Sequence, residues 1–180
     1  MSKVVLIGSS SAIAKSLQNQ SNREFVCFTR SNGFDISGDL SELDDLEDIN
    51  GLVYFPGTIN LKPFTMLKEQ DYQNDLDINF LGAVKVVKKL IGKLKEADGA
   101  SVVFISTVAA SIGLPFHASI SPSKAALEAY ARSMAAEYAG AKVSFNVVAP
   151  SLANTPMAEN LLKTDCLLYT SDAADELRSV

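Results

Sequence analysis

Four stretches of this sequence have residue types and spacings that could do chemistry. The first carries a lysine at a helix start. In Ser121-Pro-Ser-Lys-Ala-Ala-Leu127 a proline fits only the first helical turn, so the helix begins near Ser121 and places Lys124 in that turn. A lysine there opposes the helix dipole, so its placement needs a reason. The second stretch carries Asn79, a polar residue within an apolar stripe of Tyr72, Leu76, Phe80, Ala83, Val87, Leu90 and Leu94. A buried amide must be hydrogen-bonded, so Asn79 either has a specific partner or orders a water. The third is the hydroxyl pair Ser106-Thr107 at the end of a buried strand, followed by a loop with His117, the one histidine of the chain. Imidazole can give or take a proton near neutral pH.

The fourth stretch is Gly8-Ser-Ser-Ser-Ala-Ile-Ala14, between an apolar run and a helical pattern. A strand, a turn of small residues and a helix together aim unpaired backbone N–H groups at an anion such as a phosphate. Gly8, Ser10, Ser11, Ala12 and Ile13 would form that cradle. The spacing of Gly-x-x-x-Gly-x-Gly is kept, with Ala12 and Ala14 where the second and third glycines would stand. Taken alone the stretch also fits an ordinary strand, loop and helix. Arg30 directly follows the next apolar run, Phe25 to Thr29. At the tip of a second strand an arginine can pair with a 2′-phosphate, whereas an acidic residue would bond a 2′-hydroxyl. No acidic residue stands there, which favours NADP over NAD.

The elements that position these residues alternate. Val4 to Ile7, Phe25 to Thr29, Gly51 to Phe55, Ala100 to Ser106 and Val143 to Val148 read as buried strands. Phe34-Asp35-Ile36 reads as a further, very short strand. Leu40, Leu43, Leu46 and Ile49, at spacing three, read as a helical stripe capped by Ser37 or Asp39. Phe64 to Ala97 reads as mostly helix, and a helix from near Ser121 to about Tyr138 packs through Ala126, Tyr130, Ala131, Met134 and Tyr138. Alternating strands and helices predict an α/β fold of the Rossmann type, a doubly wound parallel sheet in three α/β/α layers.

The 180 residues suit one domain, here residues 1–163, with 164–180 as an irregular or foreign tail. A net charge of -5 argues against general nucleic-acid binding. Cys27 and Cys166 make neither a disulfide framework nor a zinc site, and no metal is expected. No apolar run approaches the roughly 20 residues of a membrane span, and no leader is expected ahead of the first strand. The cytoplasm is the expected compartment.

The ordered set of motifs over roughly residues 3–163 resembles the short-chain dehydrogenase/reductase family. Gly8 to Ala14 resembles its cofactor turn. Asp35-Ile36 resembles the pair that meets the adenine, with Asp39-Leu40 as the other candidate. Tyr54-Phe-Pro-Gly57 resembles the Asn-Asn-Ala-Gly strand end, bringing Phe55, Pro56 and Gly57 to the cofactor. Ile78-Asn79 resembles the site of a proton-relay water, and Ile105-Ser-Thr107 the strand end with the catalytic serine. Ser121 to Leu127 resembles the catalytic lysine helix. Pro150-Ser-Leu-Ala-Asn-Thr155 resembles the loop that grips the nicotinamide, which implicates Pro150, Ser151 and Thr155. The resemblance implies hydride transfer between a nicotinamide and a carbonyl or alcohol substrate, with Lys124 on the ribose and Thr107 on the substrate oxygen. It also implies a homodimer or homotetramer through the long helix and the Lys124 helix.

Two departures accompany the resemblance. The family's acid/base tyrosine, four residues before the lysine, is Ile120 here, and a substitute donor would be His117, Ser119, Ser121 or a water. Family members continue with a substrate lid and a seventh strand, and too few residues remain here for both. The expectation is an NADP-preferring reductase with an unusual catalytic set. The alternative is a catalytically impaired dinucleotide-binding protein that senses its ligand or supports a partner subunit.

Overall fold

Apolar runs rich in β-branched residues form the centre of the molecule. The computed structural model describes residues 2–151. In it β1 (Lys3–Ile7), β2 (Phe25–Phe28), β3 (Ile49–Tyr54), β4 (Ala100–Ile105) and β5 (Val143–Val148) make one sheet in the order β2-β1-β3-β4-β5. Every pairing is parallel. Parallel neighbours need crossovers, and α-helices on the two faces supply all but the one between β2 and β3. On one face lies α1 (Ala12–Gln20), whose Gln18 accepts a hydrogen bond from Cys27 Sγ of β2 at 3.3 Å. On the other lie the long helices that carry Asn79 and Lys124.

Period-two alternation sorts the strands between these faces. Val5, Ile7, Leu52, Tyr54, Val102, Phe104, Val143 and Phe145 turn to the long helices and join the main core. Val4, Leu6 and Val53 turn the other way, with Cys27 and Val103 packed on them. Each fully buried Leu or Val side chain contributes roughly 1.5–3 kcal/mol from area removed from water. That cost fixes the register, because a one-residue slip would turn these side chains to the wrong face.

The asparagine helix has three parts. Its first is α2 (Glu69–Leu76), where Asp71 Oδ2 accepts the Lys68 backbone N–H at 2.9 Å at the N-terminus. A π-helical turn, Asp77–Leu81, follows, and then α3 (Gly82–Glu96). The expected long helix is thus one rod with a widened turn around Asn79. After β4 come a short α4 (Ala109–Ile112) and then α5 (Ile120–Tyr138), which carries Lys124. It starts one residue before the expected position, and Lys124 is its fifth residue. The lysine therefore opens the second turn, where the dipole opposes it less than in the first.

Two sequence expectations are corrected between β2 and β3. Phe34-Asp35-Ile36 is not a strand, and 39–50 is not a helix apart from one 3-10 turn, Ser41–Leu43. Side chains that compete for the backbone are the reason. Asp35 Oδ1 accepts the Ser37 N–H at 2.9 Å, and Asp39 Oδ1 accepts the Ser41 N–H at 3.1 Å. Leu40 and Leu43 are still buried in the main core, and Ile49 belongs to β3. The spacing of three therefore records burial beneath α3, where Lys89 pairs with Asp44 at 2.7 Å, and not an α-helix. Residues 152–180, and with them Thr155, Cys166 and the expected tail, lie outside the described residues.

Candidate active site

The carboxyl ends of β1, β3 and β4 bring the sequence-predicted residues to one edge of the sheet. At the first of these, Gly8 has φ 77°, a left-handed conformation open to glycine at little cost. A Cβ on Gly8 would also lie 3.1 Å from Pro56 Cδ and 3.3 Å from Phe55 Cβ. The Gly8 turn and the Phe55-Pro56-Gly57 strand end thus pack directly on each other.

Ser11 closes the turn as the helix cap, its Oγ accepting the Ala14 N–H at 3.1 Å. The first-turn N–H groups of Ala12 and Ile13 have no partner within the helix, and both residues are exposed. Thr29 Oγ1 donates to Ser10 Oγ at 3.0 Å, so the turn is tied to the end of β2. Exposed Arg30 follows Thr29 immediately. Ser10, Ser11, Ala12, Ile13 and Arg30 therefore share one corner. Asp35 is exposed, and half-buried Ile36 packs at the start of α3, where a Cβ on Gly82 would lie 2.9 Å from Ile36 Cδ1.

A second cluster surrounds Gly57. Asn79 is 0% exposed, and Lys124 is 6% exposed. A Cβ on Gly57 would lie 3.2 Å from Lys124 Nζ and 3.3 Å from Asn79 Oδ1. The glycine at this strand end therefore leaves room for an ammonium and an amide oxygen that border the same space. Lys124 Nζ donates to the Ile105 carbonyl at 2.7 Å. Burial lowers the lysine pKa to about 8. Asn79 Oδ1 accepts the Thr58 N–H at 3.3 Å, and its Nδ2 donates to Thr58 Oγ1 and to the Asp75 carbonyl, each at 2.8 Å. The satisfied amide expected from the sequence is present.

The two hydroxyls at the end of β4 point to different partners. Ser106 is buried, and its Oγ donates to Glu128 Oε1 at 2.5 Å. Thr107 is half-buried, and its Oγ1 accepts the Ala109 N–H at 3.3 Å, which leaves its own hydrogen for a further partner. Ile120 is buried one turn before Lys124. His117 lies in the preceding loop with Nδ1 2.7 Å from the Pro115 carbonyl, and no hydrogen bond joins it to Lys124, Asn79 or Thr107. A carbonyl only accepts, so Nδ1 carries the proton, and Nε2 can donate only as imidazolium. The Val108 N–H donates to the Pro150 carbonyl at 3.2 Å, which holds the start of the last loop against the end of β4. Ser151 beside it is exposed.

Three residues of this region carry no motif in the sequence: Thr58, Asp75 and Glu128. Asp75 had a signal, since it stands four residues before Asn79 on one helix face.

Fold and site together define a Rossmann-type α/β protein with a lysine–asparagine cluster at the sheet edge. The family model for short chain dehydrogenases matches residues 3–165, and the chain belongs to that family. Among curated relatives, oxidoreductase UcpA of Salmonella typhimurium is 31% identical over 116 residues, covering 64% of this chain and 44% of that protein. The 3-oxoacyl-[acyl-carrier-protein] reductase of Synechocystis is 34% identical over 122 residues, covering 66% of this chain and 48% of that protein. The chain thus spans about half the length of the curated relatives it matches. A Burkholderia cenocepacia short chain dehydrogenase in complex with NADP superposes with TM-score 0.79 at 20% identity, covering 89% of this chain and 76% of that one.

Proposed function

We propose that this chain is the dinucleotide-binding part of an NADP(H)-preferring oxidoreductase acting on a small carbonyl or alcohol. The observation that carries the reading is the convergence of Lys124 Nζ and Asn79 Oδ1 on the space beside Gly57. In this reading the N–H groups of Ala12 and Ile13, with Ser10 and Ser11, hold the pyrophosphate. Arg30 takes the 2′-phosphate, Asp35 and Ile36 border the adenine, and Phe55, Pro56 and Gly57 line the strand end. Lys124 holds the ribose hydroxyls with the ammonium hydrogens not given to Ile105. Pro150 and Ser151 face the nicotinamide end, Thr107 directs its free hydrogen to the substrate oxygen, and Asn79 orders a water. His117 as imidazolium is the proton donor. When bound, the reduced nicotinamide supplies the hydride.

The rim supports an apolar body on the substrate. Ile59, Phe64 and Met66 after β3 are exposed, as are Ile112, Leu114 and Phe116 after β4. The outer side of α5 supports a homodimer or homotetramer, because Ala129, Ser133 and Ala136 are exposed at helical spacing and let a second helix approach closely. The cytoplasm remains the proposed compartment, and no described helix is long and apolar enough to cross a membrane.

Ile120 favours a second reading. A buried isoleucine one turn before Lys124 can neither give nor take a proton. With it the protein would bind dinucleotide without turning over, as a sensor or partner subunit. Titration with NADPH and NADH, followed by reduced-nicotinamide fluorescence, tests the shared part of both readings. NADPH binding together with carbonyl-dependent oxidation supports the enzyme. Binding without oxidation supports the sensor, and binding of neither nucleotide rejects both.

A further inference from the structure

A carboxylate is buried where packing alone calls for an apolar residue. Asp75 lies on α2 one turn before Asn79 and is 1% exposed. Its Oδ1 accepts from Thr58 Oγ1 at 2.6 Å, and its Oδ2 has no partner among the described residues. Burying a carboxylate is costly unless its hydrogen bonds do something in return.

The backbone fixes the sense of the bonds around it. The Thr58 N–H only donates, so it must face Asn79 Oδ1. The Asp75 carbonyl only accepts, so it must face Asn79 Nδ2. The other Nδ2 hydrogen goes to Thr58 Oγ1, whose single hydrogen is left for Asp75. A carboxylate only accepts, so it enforces this direction from the far end of the chain.

We propose that Asp75 is a positioning residue: by taking the Thr58 hydroxyl hydrogen it locks Thr58 onto the Asn79 amide, so that the Asn79 carbonyl oxygen stays turned to Gly57 and the Lys124 ammonium. The inference deepens the dinucleotide-site reading and rests on it for its effect on ligand, though not for its effect on Asn79. Without the carboxylate the half-buried Thr58 hydroxyl would lose its acceptor, and its side chain would turn away from Asn79. An asparagine at 75 keeps an acceptor oxygen for Thr58 and so keeps the lock.

The test compares Asp75→Asn, Asp75→Leu, Thr58→Val and the Asp75→Leu/Thr58→Val pair, each checked for folding by circular dichroism. NADPH affinity is expected within about twofold of the parent in Asp75→Asn, and about tenfold weaker in Asp75→Leu and in Thr58→Val. The pair should be no weaker than Asp75→Leu, because both changes break one chain of bonds. In the ligand-free protein the Asn79 side-chain amide, read by nitrogen-15 NMR, should exchange slowly in the parent and Asp75→Asn and faster in the other variants. Unchanged exchange or unchanged affinity in a folded Asp75→Leu overturns the proposal. Losses that multiply in the pair also overturn it, since they indicate separate packing defects. If the parent binds neither nucleotide, the dinucleotide reading fails, and amide exchange alone still decides the role of Asp75. If Asp75→Leu does not fold, the same two readouts are taken on Thr58→Val, and parent-like values there overturn the lock.

Discussion

The Tyr54 hydroxyl fills the space that a side chain on Gly82 would need. That hydroxyl donates to the Ile78 carbonyl at 2.6 Å, inside the widened helical turn that holds Asn79. A Cβ on Gly82 would meet the Tyr54 hydroxyl, and it would lie 2.9 Å from Ile36 Cδ1 and 3.2 Å from the Asp77 carbonyl. The strand end of β3 and the asparagine turn are thus joined by one phenol. Burial also pushes the Tyr54 pKa well up, so the phenol is always a donor.

Gly82→Ala should cost about 1–3 kcal/mol by overpacking. Tyr54→Phe should cost about 0.5–1.5 kcal/mol, because the half-buried Ile78 carbonyl loses the phenol hydrogen bond. The pair should lose less than the sum, since removing the hydroxyl makes room for the methyl group. Urea unfolding of the four proteins measures this, and strict additivity would show that the two sites do not touch.

Lys124 gives a pH signature. Burial holds its pKa at about 8, against 10.5 for a free lysine. The folded protein therefore gives up this proton at lower pH than the unfolded chain. The desolvation penalty is present in full below about pH 8, and stability recovers as pH rises from there toward about 10.5. Lys124→Met has no proton to lose, and other groups cancel in the difference between the two proteins. Relative to that variant, the parent should gain about 3 kcal/mol across the window. Urea unfolding at several pH values measures the difference, and a flat difference would place the ammonium in water.

How much of this was legible in the sequence differs by element. Strand runs such as Val4 to Ile7 could be read because burial on both faces leaves no polar position in them. Asn79 and Lys124 were legible as polar residues where local rules disfavour them, and the structure brings both to Gly57. The stretch from Phe34 to Ile49 was misread, because spacing of three among leucines cannot separate a helix from a turn-rich segment packed beneath one. The Asp35 and Asp39 turns decided it. The roles of Tyr54 and Thr58 were missed because each acts through a partner about 17 to 24 residues away in the chain. No local pattern records such pairs.

Arg30 should separate the two nucleotides. It is exposed at the end of β2, next to the Thr29–Ser10 hydrogen bond that ties the Gly8 turn to that strand. A hydrogen bond to a charged group is worth about 1.5–3 kcal/mol. Arg30→Ala should therefore weaken NADPH binding about tenfold or more while NADH changes less than about twofold. Fluorescence titration measures both, and an equal loss for the two nucleotides would remove Arg30 from the 2′-phosphate.

Ile120 decides between turnover and binding alone. It is buried one helical turn before Lys124, so a residue there faces the side of α5 that the lysine shares. A tyrosine at that position would bring a hydroxyl to the side of α5 that carries Lys124, and a buried ammonium beside it would lower the phenol pKa. A positioned acid contributes about 10²–10⁴-fold to such reactions. If the rest of the site is competent, Ile120→Tyr should raise carbonyl-dependent NADPH oxidation by about a hundredfold, with NADPH affinity nearly unchanged. Lys124→Met added to that variant should remove the gain. A folded Ile120→Tyr that binds NADPH but oxidises none would mean that more than the proton donor is missing, and would favour the sensor. His117→Gln completes the comparison. If His117 supplies the proton in the parent, the change should abolish parental turnover yet leave most of the Ile120→Tyr activity, because the tyrosine would have taken over the transfer.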